Sequence, residues 1–136
     1  MPPIATPISA GQDREELDRI TRTIIGAAQK VSRTLGCGFL EKVYENALCL
    51  ELRRRGIKAE QQGPVHVRYE GEIVGDYVAD ILVEAKVIVE LKAVPMTTQM
   101  HHMQCVNYLR ATGLRVGLLL NFGGASLNVR RIVNRF

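Results

Sequence analysis

The chain has 136 residues, 46% hydrophobic and 24% charged, with 18 Lys+Arg against 14 Asp+Glu for a net charge of +4. At this length one hydrophobic core can form, roughly 68% of the unfolded surface being buried on folding, and the composition excludes disordered, collagen-like and coiled-coil chains. No apolar run approaches the 18 or so residues that cross a bilayer, residues 1–10 lack the positive start of a signal peptide, and Cys37, Cys49 and Cys105 form no CxxC pair. A reduced cytoplasmic setting with no membrane partner is the expectation.

Residues 1–12, three of them proline, read as a flexible N-terminal arm, and 13–136 as a single domain. From Asp13 a helix is expected, because Leu17, Ile20, Ile24, Ala27, Ala28, Val31 and Leu35 recur at the three and four spacing of one face; Gly36 and Gly38 end it. A second helix is expected from Phe39 to Arg55, with Leu40, Val43, Tyr44, Ala47, Leu48 and Leu52 inward and Gly56 as its stop. The period then changes to two. Val65, Val67 and Tyr69 alternate with His66 and Arg68, Glu70-Gly71 supplies a turn, and Ile73 to Val83 and Val87 to Leu91 continue an antiparallel meander.

Beyond Pro95, Thr97 or Thr98 caps a third helix reaching about Thr112, with an apolar face of Met100, Met103, Val106, Tyr108 and Leu109. Val116 to Leu120 suits a buried strand, and Leu127 to Val133 a last one. The expected order is ααβββαββ, an α/β fold.

Charge is distributed unevenly along this order. Ala93 to Phe136 holds five Arg and no acid, whereas Met1 to Lys92 holds 13 Lys+Arg and all 14 acids. An acid-free, Arg-bearing region suits a polyanion, and Arg130 and Arg131 are its candidate phosphate contacts; generic surface charge accounts for it equally well.

The strand pair carrying Asp80 and Glu90-Leu91-Lys92 holds the chemistry. Glu90 and Lys92 project to one face with Leu91 opposite, and a hairpin turning at Ala85 sets Val83 against Val87 and hence Asp80 against Glu90. Like charges directly opposite destabilise a sheet unless a hard divalent cation neutralises them, and Mg²⁺ accepts such oxygens, a backbone carbonyl such as that of Leu91 included. Lys92 then suits the attacking water or the transition-state charge. The same spacing also fits ordinary outward side chains on a half-exposed sheet.

Glu41, one turn before Tyr44, lies on the rim of the second helix's apolar face and can lean toward this patch. Gln104 and Tyr108, four apart on the third helix, share a face from which an amide and a phenol can both reach a phosphate, with His101 one turn earlier; the same spacing fits buried, hydrogen-bonded core residues, the more frequent outcome for such a pair. His101 and His102 point about 100° apart and cannot readily share one metal ion.

Taken together, Gly38-x-x-Glu41-x-x-Tyr44, Tyr77-x-x-Asp80, Val89-Glu90-Leu91-Lys92-Ala93, Gln104-x-x-Asn107-Tyr108-Leu109 and Gly117 to Gly123 resemble the bacterial GxxExxY proteins, a branch of the PD-(D/E)XK nuclease-like superfamily. The resemblance implies a restriction-endonuclease-like core with a mixed sheet flanked by helices. It gives Asp80 and Glu90 the role of Mg²⁺ ligands (Mn²⁺ as substitute), Lys92 that of the catalytic lysine, and Glu41 that of the helix acid which completes the metal site. It makes Gln104 and Tyr108 nucleic-acid contacts beside the metal. Ala79 stands where the motif has proline, which ligates nothing.

The implied activity is hydrolysis of phosphodiester bonds by a metal-activated water, on DNA in preference to RNA. The competing class is a non-catalytic nucleic-acid-binding or partner-binding module on the same fold. A chain close to the bare core is expected to need a homodimer or a partner protein for specific recognition.

Overall fold

The computed structural model describes residues 10–134. Helix α1 (Ala10–Leu35) starts three residues before the expected point. The end of the expected arm is thus its first turn, and residues 1–9 lie outside the described residues. The apolar stripe is as read from the spacing, with Leu17, Ile20, Ile24, Ala27, Ala28 and Val31 buried.

Helix α2 (Glu41–Arg54) buries Tyr44, Glu45, Leu48, Cys49 and Leu52. Leu40 and Val43, expected inward, are 80% and 38% exposed. The cause lies at the helix start, where Leu40 is an extended cap residue and Tyr44 acts as the anchor. The Tyr44 hydroxyl donates to the Gly36 carbonyl (2.6 Å) and accepts from the Phe39 N–H (3.2 Å), while its ring stacks on Phe122 at 4.7 Å. This turns the buried stripe toward positions 45 and 49 and leaves Leu40 and Val43 outside.

Strands β1 (Ala59–Tyr69), β2 (Glu72–Val83), β3 (Val87–Lys92), β4 (Val116–Asn121) and β5 (Asn128–Val133) form one sheet in the order β1-β2-β3-β4-β5. The first three are the antiparallel meander expected; β3 and β4 are parallel, joined through helix α3 (Gln99–Thr112), and β5 returns antiparallel to β4. β1 begins six residues before the expected Val65. Ala59 to Pro64 shows no apolar alternation, and pairing with β2 is what extends it. Pro64 is compatible because β1 is an edge strand.

Helices α1 and α2 cover one face of the sheet and α3 the other. Among the described residues, the α1/α2 side encloses 21 in its apolar core and the α3 side seven. Only Cys105 and Leu109 of α3 are buried; Met100 and Met103, expected inward, are 78% and 41% exposed. The helix meets the sheet through small and β-branched residues at Ala79, Ile88 and Ile132, and a narrow contact needs few anchors.

Candidate active site

The β2–β3 hairpin turns through Glu84 and Ala85, both with positive φ (53° and 54°), as a tight hairpin requires. Its register runs Val83↔Val87, Leu82↔Ile88, Ile81↔Val89, the one read from the sequence, and the paired ladder then stops. On the other side β1 and β2 pair at Gln61↔Ile81 and Gly63↔Ala79 but skip the step between, where Gln62 takes a left-handed φ of 57°. Asp80 therefore stands at a fork, free of ladder pairing on both flanks. Its carboxylate instead accepts the Leu91 N–H at 2.8 Å. In an extended strand a residue's N–H and C=O point to the same side, so the Leu91 carbonyl faces this fork too.

Glu90 lies beside it, on the α3 face, buried, with Oε1 lacking any hydrogen-bond partner among the described residues. Burial, reinforced by the Asp80 charge, pushes its carboxyl up to about 9. Burial also raises Asp80, against the opposing effect of the Leu91 N–H. Lys92, half-buried two residues on, favours the ionised form of Asp80, Glu90 and Glu41. Glu41, in the first turn of α2, is raised by its own burial, lowered by Lys92 and raised by Asp80, so it belongs to the same electrostatic neighbourhood. Among the described residues, no three Asp, Glu, His or Cys side chains close round one point as a complete metal cage. Two carboxylates, one of them with a buried oxygen that has no partner among the described residues, and an inward carbonyl nonetheless fit a hard divalent cation such as Mg²⁺, which is typically bound through one or two carboxylates and retains several waters.

Glu45 is the residue the sequence reading passed over. Its side chain is 3% exposed and accepts from Lys42 (2.7 Å), Gln61 (2.5 Å) and Gln62 (3.0 and 3.1 Å), tying α2 to β1 beside the fork. Its charge raises both Asp80 and Glu41. The signal was present in the four-residue spacing of Glu41 and Glu45, which places both on one helical face.

On the α3 side Tyr108 is half-buried and stacks on Tyr77, with Gln104 exposed one turn earlier. Burial, then the Glu90 charge, raises the Tyr108 phenol, which places it by the acid pair. His101 is taken up by the helix cap: its Nδ1 accepts the Thr98 N–H at 3.1 Å while Thr98 Oγ1 accepts the His101 N–H at 3.4 Å. Cys105 is buried and its thiol is pushed up to about 12 by desolvation, the opposite of an activated nucleophile. Arg130 and Arg131 part company, since neighbours on a strand face opposite ways. Arg131 pairs with Asp18 of α1 at 2.7 Å, whereas Arg130 lies opposite Leu119, on the α3 side.

A mixed five-stranded sheet between helices, in this order and with acids at the fork of its second and third strands, is the restriction-endonuclease-like class of α/β protein. A family model described as the PD-(D/E)XK nuclease superfamily matches residues 18–132, and the chain belongs to that superfamily. No curated protein matches. Among solved structures the chain is similar to one titled "Crystal structure of SSO0001", with a TM-score of 0.52 and 17% identity over 70% of this chain and 50% of that one, so it spans half the length of that relative. An alkaline exonuclease from Laribacter hongkongensis also matches, at a TM-score of 0.42 and 12% identity over 96% of this chain and 73% of that one.

Proposed function

We propose that this protein is a Mg²⁺-dependent nuclease, accepting Mn²⁺ in its place, that hydrolyses phosphodiester bonds of DNA in the cytoplasm, and that it falls in the GxxExxY branch of its superfamily. The observation that carries this reading is the Asp80–Glu90 pair beside Lys92, with a buried Glu90 oxygen that has no hydrogen-bond partner among the described residues. A bound Mg²⁺ would supply Lewis-acid polarisation of a phosphoryl oxygen and a lowered water pKa.

Asp80 and Glu90, with the Leu91 carbonyl, would hold the ion, and the Leu91 N–H keeps the Asp80 carboxylate in place. Glu41 reaches in from α2 and accepts hydrogen bonds from water at the rim. The Lys92 ammonium orients the attacking water and meets the charge that develops on the phosphate, where a preorganised cation acts most strongly. Gln104 and Tyr108 contact the nucleic-acid backbone from α3, with the ring nitrogen of His101 that the helix cap does not use. Recognition beyond the backbone falls to a second copy or a partner protein.

The test is incubation of the purified protein with single-stranded, duplex and branched DNA and with RNA, in Mg²⁺, Mn²⁺ or EDTA. Cleavage is expected with either metal, absent in EDTA and lost in Asp80→Ala. Failure of the wild-type protein to cleave any of these substrates overturns the reading in favour of a non-catalytic nucleic-acid-binding module.

A further inference from the structure

At the carboxyl end of the parallel pair β3/β4, residues 95–97 of the loop after β3, residues 124–127 of the loop after β4, and Asn121, Asn128 and Arg130 border a cavity of about 400 Å³. In open α/β sheets this end of the strands is where ligands bind. The frame of the cavity is fixed from within. Buried Asn121 accepts from the Val94 and Gly123 N–H groups (both 3.1 Å) and donates to the Val94 carbonyl (2.9 Å), stapling the two loops together. Gly123 permits the close approach, since a Cβ there would overlap the Val94 backbone.

The rest of the polar lining is uncommitted. Thr97, Ser126, Asn128 and Arg130 line the cavity, and Asn121 alone of the lining makes side-chain hydrogen bonds among the described residues. No acid lines it, and none follows Lys92 in the sequence. Sheet register relates this cavity to the acid pair. Lys92, Asn121 and Asn128 form one row across β3, β4 and β5, and Glu90, Leu119 and Arg130 form another. All lie on the α3 face, as Ile132, two residues beyond Arg130, belongs to the α3-side core. Two strand spacings of ~4.8 Å separate Arg130 from Glu90, about 10 Å and so within a few nucleotides of rise at ~3.4 Å each.

We infer that this cavity is a second subsite, binding a phosphate group of the same nucleic-acid strand whose scissile phosphate lies at Asp80 and Glu90. The inference rests on the nucleic-acid reading above. The Arg130 guanidinium presents a planar fork to two phosphate oxygens, and the Thr97 and Ser126 hydroxyls and the Asn128 amide are neutral donors for the others. The phosphate is either the strand's terminal group or an internal one.

The test measures anisotropy of a short single-stranded DNA labelled at its 3′ end, carrying a 5′-phosphate or a 5′-hydroxyl, with Ca²⁺ in place of Mg²⁺ and over a range of salt. Arg130→Ala is compared with Arg22→Ala, an exposed arginine of α1 on the opposite side of the sheet. The expected result is roughly tenfold weaker binding for Arg130→Ala, the scale of a lost charge-assisted hydrogen bond, and a salt slope smaller by about 0.7. A loss confined to the 5′-phosphorylated strand assigns the terminal phosphate, and an equal loss on both assigns an internal one. Affinity and slope matching those of Arg22→Ala, or no binding by the wild-type protein, overturn the inference. Should the wild-type protein cleave nothing yet bind less tightly as Arg130→Ala, the subsite stands and only the hydrolytic reading falls.

Discussion

The two faces of the sheet are built to different rules. Under α1 and α2, long aliphatic side chains and the Tyr44–Phe122 stack fill a continuous apolar layer. Under α3 the layer is small, and the three buried side-chain atoms without a partner among the described residues, on Tyr77, Glu90 and His102, all lie on that side. Unpartnered buried polar groups reduce stability, and such strain gathers where a ligand completes the set. One face therefore holds the fold together while the other is left electrostatically unfinished.

Removing the charge nearest the reaction tests the unfinished face most severely. Lys92→Ala is expected to cleave at least about a hundredfold more slowly while still binding metal and DNA, because a group acting on the transition state lowers kcat and spares affinity. Lys92→Arg is not expected to rescue it, as a planar guanidinium does not reproduce a compact ammonium. Undiminished single-turnover cleavage by Lys92→Ala would move the chemistry away from β3.

The closed face is tested by truncation. Leu48→Ala, at a fully buried site, is expected to cost about 2–5 kcal/mol in urea unfolding, whereas Met100→Ala on exposed α3 should stay within about 0.5 kcal/mol. Similar costs at the two positions would contradict the contrast between faces.

A pH titration of stability separates them further. Glu90 is raised in the folded protein to about 9, so the fold favours its protonated form. This contribution is fully present below the unfolded pKa of about 4.3 and is lost as pH rises through the folded value. In EDTA the Tm should fall from about pH 5 to pH 9, with a shallower fall in Glu90→Gln. A slope unaltered by that substitution would place the titration elsewhere.

The metal's own effect on the fold is a modest one. Mg²⁺ or Mn²⁺ at neutral pH should raise the Tm by a few degrees through preferential binding to the folded state, on the order of 1–3 kcal/mol at saturating excess. Asp80→Ala should abolish the shift. Equal shifts in both proteins would place the ion away from the fork.

Much of this was readable from local pattern. Periodicities of 3.6 and 2 gave the eight elements in their correct order, because the alternation of apolar and polar residues that marks each element is a local pattern even where its partner strand is distant in the chain. The hairpin register followed from one turn, since counting outward from Ala85 is arithmetic on a period of two. Glu90 and Lys92 on one face needed nothing more.

What tertiary structure alone decided depends on partners far away in the chain. Ala59 to Pro64 is strand only because β2 lies beside it, and Leu40 and Val43 are exposed because Tyr44 reaches Gly36 and Phe122. Glu45 is buried because Gln61 and Gln62 arrive from another element to hydrogen-bond it. Arg130 and Arg131, adjacent in sequence, go to opposite faces, one held by Asp18 of α1 and the other bordering the β3–β4 cavity. Sequence spacing sets which way a side chain points; what it meets there is set by long-range packing.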